Sequence, residues 1–116
     1  RGQDSARRQA REETGAEVVA GGVERDQPDP RAVLSLLAER ACNDVLLECG
    51  PTLAGGFLRA GLVDELILYI APHLMGDSAR GLFTLPGLEH MNERVALEWL
   101  DIRRIGADLR ITARPV

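Results

Sequence analysis

A chain of 116 residues is the length of one small domain, able to bury about two-thirds of its unfolded surface and so to hold a core without staples. Apolar residues make up 45% and charged residues 28%, a globular composition for which disorder is not the first reading, and Asp, Glu or Arg breaks every apolar run before the roughly 18 residues of a membrane helix. The net charge of −4 and the 3% aromatic content leave no basic surface or stacking platform for nucleic acid.

Residues 1–15 read as a polar-faced surface helix, with Asp4 or Ser5 as N-cap and Gly15 as its stop. Residues 16–20 read as a short strand, and Gly21 to Pro30 as a loop rich in Gly, Pro and Asp. Asp29 followed by Pro30 is a cap with proline at the first helical position, opening an amphipathic helix to about Ala41. The apolar run 44–49 predicts a buried strand, Gly50-Pro51 turns the chain, and a helix follows to Ala60, stopped by Gly61. Leu66 to Ala71 is the strongest strand signal. A long irregular connection, 73–93, with one short helical turn follows. Strands over 95–105 and 108–113 close the chain as a hairpin at Gly106-Ala107. Strands and helices alternating in this way imply an α/β fold with a mixed sheet, helices on both faces and a C-terminal antiparallel hairpin.

All 14 basic residues are arginine, which excludes Schiff-base chemistry, a Walker-A lysine and a lysine general base. Cys42 and Cys49 form no C-x-x-C and fit two free thiols in a reducing compartment, the cytoplasm. His73 and His90 have no third ligand at zinc spacing, so no metal is expected. Arg80 either holds a phosphate or pins its loop, and Arg103-Arg104 decorate an edge strand.

The most informative stretch joins the strand ending at Glu48 to the helix that follows. Gly50, Pro51, Thr52, Leu53, Ala54, Gly55 and Gly56 form a small-residue first turn with free backbone N–H groups at the positive end of the helix dipole. Such a turn at a strand's carboxyl end suits a phosphate. It is neither a P-loop, because Gly55 is followed by Gly56-Phe57, nor a Rossmann turn, because Gly50-Pro51-Thr52 breaks the G-x-G. The alternative is that Gly55 and Gly56 only let the helix pack closely. Glu48 is a carboxylate ending a buried strand; it either faces a ligand or reaches solvent or an arginine.

Three blocks in this order, Glu48-Cys49-Gly50-Pro51-Thr52-Leu53-Ala54-Gly55, Ala60-Gly61-Leu62-Val63-Asp64-Glu65 and Tyr69-Ile70-Ala71-Pro72, closely resemble the reductase domain of the bifunctional riboflavin-biosynthesis deaminase/reductase. The later Ala79-Arg80-Gly81-Leu82-Phe83 and Leu85-Pro86-Gly87-Leu88-Glu89 agree with it. The resemblance implies a dihydrofolate-reductase-like fold and an oxidoreductase that takes hydride from NADPH to reduce 5-amino-6-(5-phosphoribosylamino)uracil to its ribitylamino product. It implies that Glu48 contacts substrate and that Gly50 through Gly56 cradle the NADPH phosphates, with no covalent nucleophile and no catalytic residue assigned. It also implies a homodimer. The family's domain is longer, so residues 1–116 read as the C-terminal portion of a single reductase domain. Two alternatives stay open: a catalytically silent folding or dimerisation module, and a same-fold reductase of another pterin-like or pyrimidine substrate.

Overall fold

The computed structural model describes residues 2–19, 23–24 and 27–116, in two compact units that divide after Cys42. The first unit opens with helix α1 (Gly2–Glu12). Because α1 begins at Gly2, Asp4 and Ser5 lie within it and not ahead of it. Its outward face carries an Arg8–Glu12 ion pair at 2.9 Å and a Gln9–Glu13 hydrogen bond at 3.2 Å, both one turn apart. The helix stops where the sequence predicts. Gly15 has φ +86°, its N–H donates to the Glu12 carbonyl, and the Ala16 N–H donates to Arg11, a left-handed helix stop that satisfies two terminal carbonyls.

The stretch expected as a first strand has no ladder partner over 16–19, and residue 20 lies outside the described residues. Within the expected loop, β1 (Val23–Glu24) and β2 (Gln27–Pro28) instead pair antiparallel. Helix α2 (Pro30–Glu39) starts as its cap dictates: Asp29 Oδ1 accepts from the Arg31 N–H at 3.0 Å, with Pro30 at the first position. Its end repeats the α1 stop with a non-glycine residue, Ala41, at φ +58°.

In the second unit the strand expected at 44–49 is not formed. Residues 43–50 are exposed and without a ladder partner among the described residues. A strand exists only by hydrogen bonding to a neighbour, and an apolar run without one stays a bare segment. The described sheet is therefore antiparallel throughout. Helix α3 (Pro51–Arg59) follows, stopped at Gly61 (φ +65°) by the same pair of bonds, Gly61 N–H to Leu58 and Leu62 N–H to Phe57. Next come β3 (Leu66–Ile70), a 3₁₀ turn at Met91–Glu93, β4 (Leu97–Ile105) and β5 (Asp108–Pro115).

The sheet order is β3-β5-β4. Opposed residues in a ladder share a face, so Leu66, Ala113 and Trp99, then Leu68, Ile111 and Ile102, then Ile70 and Leu109, lie on one side. The other side carries Ile67 and Tyr69 with Thr112, Arg110, Asp101 and Arg103. Ala113 is fully buried, as are Phe57 and Leu58 on α3 nearly so, and these three form the core among the described residues. Gly106, at φ +61°, takes the first position of the two-residue turn between β4 and β5, where a twist-matched hairpin turn needs glycine. A bulge between Trp99 and Asp101 kinks β4, which is an edge strand.

Candidate functional site

Two connections flank the start of α3: the unpaired run 43–49 that leads into Gly50, and residues 71–90 that leave the carboxyl end of β3. Ligands of open α/β sheets sit at such ends. Here the two connections meet. The Thr84 N–H donates to the Pro51 carbonyl at 3.0 Å, tying the second connection to the first turn of α3.

Gly50 is the N-cap of α3, extended at φ −74° and ψ 167°, and Pro51 occupies the first position. No side chain caps the turn and no acidic residue stands in it. The N–H groups of Thr52 and Leu53, at the positive end of the helix dipole, therefore remain available to an anion. A Cβ added at Gly50 or at Gly56 would meet nothing within 4 Å, so the backbone there is open to close approach. Thr52 is exposed, while Pro51, Leu53, Ala54 and Gly56 are half-buried. These residues fit a phosphate: uncapped donors, no competing carboxylate and no side-chain bulk.

Gly55 differs from its neighbour. It is buried, and a Cβ there would overlap the Thr84 carbonyl oxygen and come within 2.9 Å of the Thr84 carbonyl carbon. The space a side chain would fill is occupied by the protein itself. Glu48 is exposed and has no ion-pair partner among the described residues. Its carboxylate is thus open to solvent or to a ligand, and it pairs with no arginine among the described residues. Arg80 is likewise exposed, and among the described residues no hydrogen bond from it pins its loop. His73 lies in the bend after β3, and His90 is the N-cap of the 3₁₀ turn, where Glu93 accepts from the His90 and Glu89 N–H groups. Cys42 and Cys49 are exposed free thiols.

Sequence reasoning missed a cavity of about 350 Å³ in this unit, walled by Leu58, Leu66, Phe83, Leu85, Val95 and Leu97, with Glu89, His90 and Arg94 also on its lining. The alternation of Phe83 and Leu85 around the polar Thr84 was its only local signal. On the far face of the sheet, Asp101 accepts from Arg103 Nε at 2.6 Å and from an Arg110 terminal nitrogen at 3.1 Å. The hydrogen bond from Arg103 holds the Asp101 carboxyl below its ordinary value against a smaller opposing effect of burial, and Arg110 adds to the lowering. Arg110 Nε is buried without a partner.

Three helices and an antiparallel sheet make an α/β protein, and comparison with solved structures puts it in the dihydrofolate-reductase-like class. The chain superposes on RibD of Acinetobacter baumannii with a TM-score of 0.70 at 36% identity, over 78% of this chain and 26% of that one. It is 52% identical over 73 residues to the riboflavin biosynthesis protein RibD of Escherichia coli (strain K12), covering 63% of this chain and 20% of that protein. It is 32% identical over 84 residues to the 5-amino-6-(5-phosphoribosylamino)uracil reductase of Buchnera aphidicola subsp. Acyrthosiphon pisum (strain APS), covering 72% of this chain and 41% of that protein. The model of the RibD C-terminal domain matches residues 3–111. The chain belongs to the RibD C-terminal domain family. It spans less than half the length of each of these relatives.

Proposed function

We propose that the chain is part of an NADPH-dependent reductase of riboflavin biosynthesis, acting on 5-amino-6-(5-phosphoribosylamino)uracil to give its ribitylamino product. The observation that carries this reading is the uncapped, acid-free first turn of α3, which the connection after β3 meets, in a chain of the RibD C-terminal domain family. When bound, NADPH supplies the hydride.

The chain's own residues then bind and orient. The Thr52 and Leu53 N–H groups, with the open backbone at Gly50 and Gly56, receive a cofactor phosphate. Pro51 fixes the start of the helix, and Leu53 and Ala54 keep its first turn small. Glu48, two residues before Gly50 and exposed, supplies a carboxylate that accepts hydrogen bonds from substrate N–H or O–H groups. Rate enhancement comes from holding two ligands in register, without a covalent nucleophile.

The protein is read as a cytoplasmic homodimer. Ile67, Tyr69, Trp99 and Ile102 are each more than half exposed, and both edge strands, β3 and β4, keep unpaired backbone groups; exposed apolar strands of this kind favour pairing with another copy. Two exposed free thiols suit a reducing compartment. Among the described residues no helix is long and apolar enough to cross a membrane.

Calorimetric titration of the intact protein with NADPH tests the reading. Saturable binding that Gly56→Val weakens supports it, and absence of binding by the wild-type protein overturns it.

A further inference from the structure

The loop that leaves β3 is anchored at one peptide. The Thr84 N–H donates to the Pro51 carbonyl at 3.0 Å, while the Thr84 carbonyl lies over Gly55, where any side chain would overlap it. On either side, Phe83 and Leu85 are half-buried and wall the same cavity as Leu58 of α3 and Leu66 of β3. A glycine inside a helix weakens it, so its presence there calls for a compensating contact. Gly56 has no such contact within 4 Å, and Gly55 has the Thr84 peptide. Gly55 can therefore be separated from the turn that Gly50, Thr52, Leu53 and Gly56 present to a ligand.

We propose that Gly55 is a positioning residue: by omitting a side chain it seats the Thr84 peptide on α3 and so holds the 71–90 connection beside the turn that would take a cofactor phosphate. The ligand half of this proposal rests on the reductase reading above; the seat itself does not. The seat acts through Thr84, and Gly55 need not touch the cofactor.

The test is made in the intact protein with two readouts, amide exchange at Thr84 and steady-state kinetics with NADPH. Gly55→Ala is expected to speed exchange at Thr84 about tenfold, because the N–H loses its acceptor. It is expected to raise KM for NADPH about tenfold with kcat changed less than about threefold, the signature of lost binding without lost chemistry. Alanine is the better helix former, so its intrinsic effect on α3 has the opposite sign. Gly56→Ala is expected to leave exchange at Thr84 unchanged. Thr84→Pro deletes the donor without touching the helix and is expected to raise KM for NADPH in the same way; it carries the test should Gly55→Ala fail to fold. Unchanged exchange at Thr84 in Gly55→Ala overturns the seat. Faster exchange at Thr84 in Gly55→Ala with KM for NADPH unchanged, and KM likewise unchanged in Thr84→Pro, overturns the positioning role and leaves only a packing glycine. A wild-type protein without NADPH affinity overturns the reductase reading instead, and shows itself before any variant is compared.

Discussion

Ala41 ends α2 at φ +58°, a left-handed conformation that costs an L-residue roughly 1–2 kcal/mol and that glycine adopts freely. The bonds of the stop are intact: the Ala41 N–H donates to Ala38 and the Cys42 N–H to Leu37. Ala41→Gly should thus keep the geometry and remove the strain, for a gain of about 0.5–1 kcal/mol once glycine's extra chain entropy is subtracted. Chemical denaturation of the two forms checks it. Glu48 carries the other residue-scale prediction. In the intact protein Glu48→Gln should lower kcat/KM for the phosphoribosylaminouracil by about tenfold, the worth of one charged hydrogen bond, while NADPH affinity stays near wild type. An unchanged kcat/KM would remove Glu48 from the substrate site.

At the scale of elements, the hairpin is held by charge as well as by its ladder. Asp101 on β4 accepts from Arg103 on its own strand and from Arg110 on β5. These partners lower its folded pKa from the ordinary 3.8. A carboxyl depressed in the folded state contributes stability that is present above its unfolded pKa and lost as pH falls through the folded value. Asp101→Asn should therefore lower Tm near neutrality, by little because the group is partly exposed, and leave Tm unchanged at low pH, which flattens the acid limb of Tm against pH below about pH 4. A wild-type acid slope retained in the variant would deny the strut its role. The elements legible in the sequence are those whose signals are local: the Asp29-Pro30 start of α2, the Gly15 and Gly61 stops, and the Gly106 turn each depend on a few neighbouring residues. The run 44–49 reads as a buried strand because apolar patterning reports what a segment suits. It stays unpaired here because pairing needs a partner that no pattern within the segment supplies. The Thr84 seat was illegible for a related reason: it joins residues 55 and 84 across a loop with no periodicity. The glycines of α3 pointed to the site, but only coordinates separate Gly55, filled by protein, from Gly56, open.

For the whole molecule, small buried area and large apolar exposure act together. Only Phe57, Leu58 and Ala113 are buried apolar residues among those described, whereas Trp99, Ile102, Tyr69 and Ile67 stand more than half exposed on a sheet with two free edges. β4 blunts its edge with a bulge and with Arg103 and Arg104; β3 carries neither a charge nor a bulge over Leu66–Ile70. Sedimentation equilibrium at micromolar concentration should accordingly give a dimer or larger, and a monomer with a cooperative melt would contradict the proposed association. The central claim is that α3's open turn belongs to a reductase that draws hydride from NADPH. Its most direct test is to incubate the intact protein with NADPH and 5-amino-6-(5-phosphoribosylamino)uracil, following cofactor oxidation and product together. NADPH loss is expected to be matched mole for mole by the ribitylamino product, and to weaken when Gly56 is replaced by valine. No substrate-dependent oxidation of NADPH, or oxidation indifferent to Gly56→Val, would contradict it.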